Sequence, residues 1–92
     1  MTYRVEVLPP ARRALAGLPP ATPGRVTAAL FALREDPRPP GSAALTGKPP
    51  GRRKLRVGSY RVVYTVQDDA LLVLVIAVGH RRRVYKQAER RK

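Results

Sequence analysis

Two residues, Gly58-Ser59, separate two runs that each read as a β-strand, KLRV before and YRVVYTVQ after. No other feature limits the fold of this chain as much. A two-residue connection with glycine first fits a type II′ hairpin, and such a turn fixes the register of the strands it joins. Val57 is then opposite Tyr60, Arg56 opposite Arg61, Leu55 opposite Val62 and Lys54 opposite Val63. Strand side chains alternate, so Leu55, Val57, Tyr60, Val62 and Tyr64 share one face and Arg52, Lys54, Arg56 and Arg61 share the other. A third strand is expected over residues 70–78, after a tight turn at Asp68-Asp69. It adds Leu72, Leu74 and Ile76, beside Val63, to the cationic face. Like charges placed directly opposite one another destabilise a sheet. A polyanionic partner would offset that cost. The apolar floor among the cations should also be covered, by the C-terminal tail or by a partner peptide.

The segments before the hairpin supply the other layer. Residues 3–8 alternate apolar and polar, the period of a half-buried strand. Pro9 and Pro10 end that strand, and Pro10 suits the first turn of a helix. Ala11, Ala14, Leu15 and Leu18 follow at helical spacing, closed by Gly17-Leu18-Pro19-Pro20. A second helix opens with Thr22 as N-cap and Pro23 at its first position. It carries Val26, Ala29, Leu30 and Leu33 on one stripe and ends near Asp36. Residues 37–51 are rich in proline and glycine and read as a loop without regular structure. The expected fold is one α+β domain over residues 1–92. Its small antiparallel sheet has about four strands, and an N-terminal αα-hairpin packs on one face. The order is β-α-α-β-β-β, then a C-terminal tail.

Charge narrows the partner. The chain has 19 Lys+Arg against 6 Asp+Glu, a net charge of +13 in 92 residues, while 43 % of residues are hydrophobic. That balance fits a folded domain with a nucleic-acid partner. With no cysteine there is no disulfide, thiolate metal site or thiol nucleophile, and a reducing cytoplasm is expected. The longest apolar run falls short of the roughly 20 residues that span a bilayer. No apolar signal core opens the sequence, so a soluble cytoplasmic protein without a membrane partner is expected.

Metal-dependent nucleases need converging carboxylates. None of Glu6, Glu35, Asp36, Asp68, Asp69 and Glu89 is expected on the cationic face, so no metal or cofactor is expected. His80 stands alone, which removes paired histidine chemistry. What remains is Lys, Arg and Tyr. Such a set can cleave RNA, because the 2′-hydroxyl is an internal nucleophile that needs only orientation, deprotonation and charge stabilisation. Arginine forks suit the phosphate. A lysine serves as base where neighbouring cations lower its pKa, and Lys54 has Arg52, Arg56 and Arg61 on its face. Tyr85 suits stacking on an unpaired base. Residue types alone leave a phosphate-binding patch without chemistry equally open.

The order and wording of the segments add to this. YRVEVLPPARRALAGLP, EDPRPPGSAALTG, KLRVGSYRVVYTVQDD and LVIAVGHRRRVY together resemble the RelE family of bacterial toxins, within the RelE/ParE group, along nearly the whole chain. The resemblance implies a type II toxin that cuts messenger RNA in the ribosomal (30S) A site without a metal, leaving a cyclic phosphate and a free 5′-hydroxyl. It also implies a RelB-like antitoxin that wraps the toxin and blocks the site, with the complex binding operator DNA through the antitoxin. Carried over by motif position, Lys54 is the general base and Arg52 an assisting cation. Arg61 holds the scissile phosphate, Arg81 stabilises charge or protonates the leaving oxygen, and Tyr85 stacks on the nucleotide. Arg56 is a further phosphate contact, and His80 shares the acid role. Arg52 stands where lysine is frequent; it keeps the charge but is a poor proton acceptor. Naked RNA is expected to be a poor substrate, since positioning must supply much of the rate. The alternatives are a ParE-like gyrase inhibitor and an inactive RNA-binding module.

Overall fold

A computed structural model describes residues 2–46 and 51–80. Strand β1 (Arg4–Val7) leads into helix α1 (Pro9–Ala16) and helix α2 (Thr22–Ala32). Strands β2 (Ser42–Ala44), β3 (Arg52–Val57), β4 (Tyr60–Gln67) and β5 (Leu72–His80) follow. The sheet order is β1-β5-β4-β3-β2. The α+β class is as expected, with two differences in the sheet. Among the described residues it has five strands, because the proline-rich loop contributes β2, paired with β3 from Ser42↔Leu55 to Ala44↔Arg53. It is also mixed rather than antiparallel, because β1 runs parallel to β5, with Arg4 opposite Leu72. The helical hairpin is the first part of the crossover that a parallel neighbour requires.

The β3–β4 register is the expected one at every position, from Val57↔Tyr60 to Arg52↔Thr65. Gly58 takes φ +61, in the left-handed region that glycine enters without penalty. The second hairpin differs. Pairing resumes at Gln67↔Leu72, so the turn spans residues 68–71, with Leu71 at φ +49, and β5 occupies residues 72–80 rather than 70–78. A shift of two residues preserves the alternation, so Leu74 keeps to the cationic side, now opposite Thr65. A bulge then breaks the ladder: Val63 pairs with Ala77, but Tyr64 pairs with Val75. Ile76 is the extra residue, and it clusters with Val63 and Ala77.

The core lies between helices and sheet. Ala11, Val26, Leu30 and Leu33 meet Leu55, Val62, Tyr64, Val73, Val75 and Val78, all buried. Full burial of each large side chain contributes about 1.5–3 kcal/mol. The Tyr64 hydroxyl, buried with its ring, donates to the Pro37 carbonyl at 2.8 Å. This anchors the proline-rich loop and satisfies a polar group that would otherwise destabilise the core. α2 starts at Thr22 itself, and Ala21 is its N-cap at φ +74, so the expected Thr22 cap is not made. A smaller cluster of Val63, Ile76 and Ala77 fills the opposite side, with Leu8 and Leu45 against it.

Candidate nucleic-acid interface

Cross-strand partners share a face, so the register places Arg52, Lys54 and Arg56 of β3 beside Arg61, Val63 and Thr65 of β4. Arg56 and Arg61 are directly opposite. Lys54 is the diagonal neighbour of Arg61, roughly 7–8 Å away in a regular antiparallel pair. The Arg61 guanidinium bends back on its own turn, donating to the carbonyls of Gly58 at 3.3 Å and Tyr60 at 3.2 Å. These bonds hold the charge at the hairpin end of the face. Arg53 alternates to the helix side, where it donates to the Ser42 hydroxyl at 3.0 Å.

The face is not free of acid, which corrects one expectation. Glu6 pairs with Leu74, so it stands on the cationic side of the sheet. It is ion-paired with Arg4 of its own strand at 2.8 Å. β5 lies between it and β4, and strands are spaced about 4.8 Å apart, so Glu6 is two strands from Arg61 and three from Lys54. The alternation of β1 was readable, but its neighbour in the sheet was not.

The bulge decides the place of His80. Uninterrupted alternation from Ile76 would bring His80 to the side of Arg61. Instead Gly79 is opposite Arg61 and His80 opposite Tyr60. The imidazole meets the Tyr60 ring edge-on, with centroids 6.2 Å apart at 85°. The structure thus gathers Arg52, Lys54, Arg56 and Arg61 and sets His80 on the other side at the strand end. Arg81 and Tyr85 lie outside the described residues, as does the tail expected over the apolar floor.

Two features lie apart from the cations. The Asp68 carboxylate accepts from both guanidinium nitrogens of Arg38, at 3.1 and 2.8 Å, and from the Tyr3 hydroxyl at 2.6 Å. The Arg38 hydrogen bonds, then that of Tyr3, lower its pKa from 3.8 to about 2. The same contact raises Tyr3 and Arg38 above their usual values. This network ties the start of β1 and the loop after α2 to the β4–β5 turn. The second feature is an apolar groove of about 660 Å³ between β1 and α2, lined by Val5, Leu15, Leu30 and the exposed Phe31. It opens on the helix side and touches none of the four gathered cations.

Comparison with known proteins identifies the family. Residues 5–85 match the model of the ParE toxin of the type II toxin–antitoxin system parDE. The chain is 34 % identical over 94 residues to Toxin RelG of Mycobacterium tuberculosis (strain ATCC 25618 / H37Rv), covering 95 % of this chain and 100 % of the relative. Its fold superposes on the toxin–antitoxin complex RelBE2 of M. tuberculosis with a TM-score of 0.79 at 30 % identity, over 88 % of this chain and 100 % of that one. A mutant E. coli toxin RelE in the free state gives 0.80 at 29 % identity, over 99 % and 98 %. The archaeal RelE of the RelE–RelB complex from Pyrococcus horikoshii gives 0.77 at 28 %, over 91 % and 100 %. The chain belongs to the RelE/ParE family of type II toxin–antitoxin toxins.

Proposed function

We propose that the toxin is a ribosome-dependent messenger-RNA endoribonuclease, acting in the cytoplasm on messages in the A site. The observation that carries this reading is the register itself: Lys54 and Arg61 are diagonal neighbours on one face, flanked by Arg52 and Arg56, and no carboxylate stands on that face of β3 or β4. Four like charges crowded on one face tend to destabilise a sheet, and they suit a phosphodiester that gains charge during reaction.

In the proposed step the 2′-oxygen attacks the adjacent phosphorus and its proton passes to Lys54. The bond from phosphorus to the 5′-oxygen breaks, and that oxygen takes a proton from Arg81; His80, on the other side of the sheet, takes no part. The products are a 2′,3′-cyclic phosphate and a 5′-hydroxyl; no water is consumed and no metal is needed. Arg61, with Arg52 and Arg56, binds and stabilises the phosphorane, and Tyr85 stacks on the nucleotide. The ribosome supplies the positioning that this residue set does not.

The partner is a RelB-like antitoxin, since four of the similar structures are complexes of a RelE-type toxin with RelB, with a RelB peptide or within RelBE. An acidic segment of it would cover the half-buried Leu72, beside the already buried Val63, and meet the arginines, and the complex would reach operator DNA through it. The test is to map message ends on translating ribosomes after induction. Arg61→Ala should lower cleavage about 10²–10³-fold, the usual loss on removing one charge-stabilising donor, and relieve growth arrest with folding intact. Full toxicity of Arg61→Ala would show the assigned site to be wrong. The match to a ParE model favours a second reading, inhibition of gyrase by binding. Induction would then raise a DNA-damage response with messages left whole.

A further inference from the structure

The turn residue Gly58 is contacted by two guanidinium groups from different elements. Arg61 of β4 donates to its carbonyl. On the helix side, Arg25 of α2 lies against its Cα, with Nη2, Nη1 and Cζ 3.6, 3.7 and 3.9 Å from where a Cβ would be. No carboxylate pairs with Arg25 among the described residues. Arg25 also sits close to the start of α2, where no acidic residue offsets the positive end of the helix dipole. Two like charges at one turn, one of them at the unfavourable end of a helix, lower stability unless an anion joins them. Beside Arg25 is a hollow of about 110 Å³ lined by Thr22, Val57, Gly58, Ser59 and Tyr60. The hollow is large enough for a phosphate group, since far less space holds a water molecule. The hydroxyls of Thr22 and Ser59 supply donors beside the guanidinium.

We propose that the tip of the β3–β4 hairpin carries a second phosphate site, formed by Arg25, Thr22 and Ser59, which takes another phosphate of the RNA strand held by Arg61. The strand then turns around the hairpin tip and is gripped on both faces of the sheet. Tyr60 and His80, ring to ring on this side, give a base between the two sites an aromatic surface. The inference rests on the reading that the cationic face binds RNA. Sequence could not show it, because Arg25 reads as an ordinary polar position of a surface helix until the helix is laid against the turn.

The test uses the full chain and a fluorescein-labelled, single-stranded 2′-O-methyl RNA of twelve nucleotides, whose blocked hydroxyls leave binding as the readout. Affinity is measured across salt concentrations. Removing one phosphate-binding cation should reduce the slope of log K against log salt by about 0.7. Arg25→Gln and Arg61→Gln should each do so, and the double variant should reduce it by about 1.4. Arg25→Lys should retain the slope. Arg13→Gln, which removes the same charge from α1, should leave it unchanged. If Arg25→Gln behaves as Arg13→Gln while Arg61→Gln weakens binding, the second site is overturned and the RNA reading stands. If neither Arg25 nor Arg61 matters, both fall. Arg25 dependence seen with a duplex DNA of the same length and not with the RNA also overturns the proposal.

Discussion

The two faces of the sheet are built from the same strands and obey different constraints. On the helix side, Leu55, Val62, Tyr64, Val73 and Val75 are buried against α1 and α2, and the Tyr64 phenol is hydrogen-bonded. On the other side, a small buried cluster of Val63, Ile76 and Ala77 lies beside four cations, two of them directly opposed. The first face is arranged for stability. The second accepts a loss of stability in return for a charged surface, a trade that natural proteins make at functional sites.

Substitutions of similar size should therefore have opposite signs on the two faces. Leu33→Ala opens a cavity in the fully buried layer, and it should cost about 2–5 kcal/mol in denaturant unfolding. A loss under about 1 kcal/mol, below the usual range for such a truncation, would mean that the helices are not the main support of that face. Arg56→Thr removes one member of the opposed Arg56–Arg61 pair and inserts a good strand former. It should stabilise by about 0.2–1 kcal/mol while weakening RNA binding. If it destabilises, the cations are structural and the contrast between faces is lost.

The Tyr3–Asp68–Arg38 network should have the smallest effect, because its members are solvent-exposed and screened. Its sign is still defined. The folded-state pKa of Asp68 is depressed to about 2 from 3.8, so its contribution is complete above about pH 4 and fades as pH falls toward 2. Asp68→Asn should lower stability at neutral pH and flatten the acid limb of the unfolding profile between those values. An unchanged acid limb would mean that the network adds nothing to stability.

Legibility in the sequence followed the distance over which each feature is determined. Gly58-Ser59 is a local signal with one geometric outcome, so the register of β3 and β4 and the gathering of Lys54 with Arg61 were readable. The helices were readable from the spacing of Val26, Ala29 and Leu30 on α2, with Leu33 at its C-cap, and of Ala11, Ala14 and Leu15 on α1. β2 was not, because Ser42–Ala44 becomes a strand only by pairing with β3 and has no pattern of its own. The position of Glu6 depended on a neighbour many residues away. The side taken by His80 turned on one inserted residue at Ile76, which no local preference announces. The candidate site was thus legible where a single turn sets it and illegible where the far edge or the end of β5 does.

The parallel seat of β1 has a consequence for biosynthesis. Among the described residues its one neighbour in the sheet is β5, with Val5 opposite Val73 and Val7 opposite Val75. Domains tend to fold in the order they are synthesised, but here the first strand has no mate until the last one has been translated. Contacts so remote along the chain form slowly. A nascent copy therefore lacks its finished sheet until β5 has left the ribosome, and until then β1 is an unpaired strand.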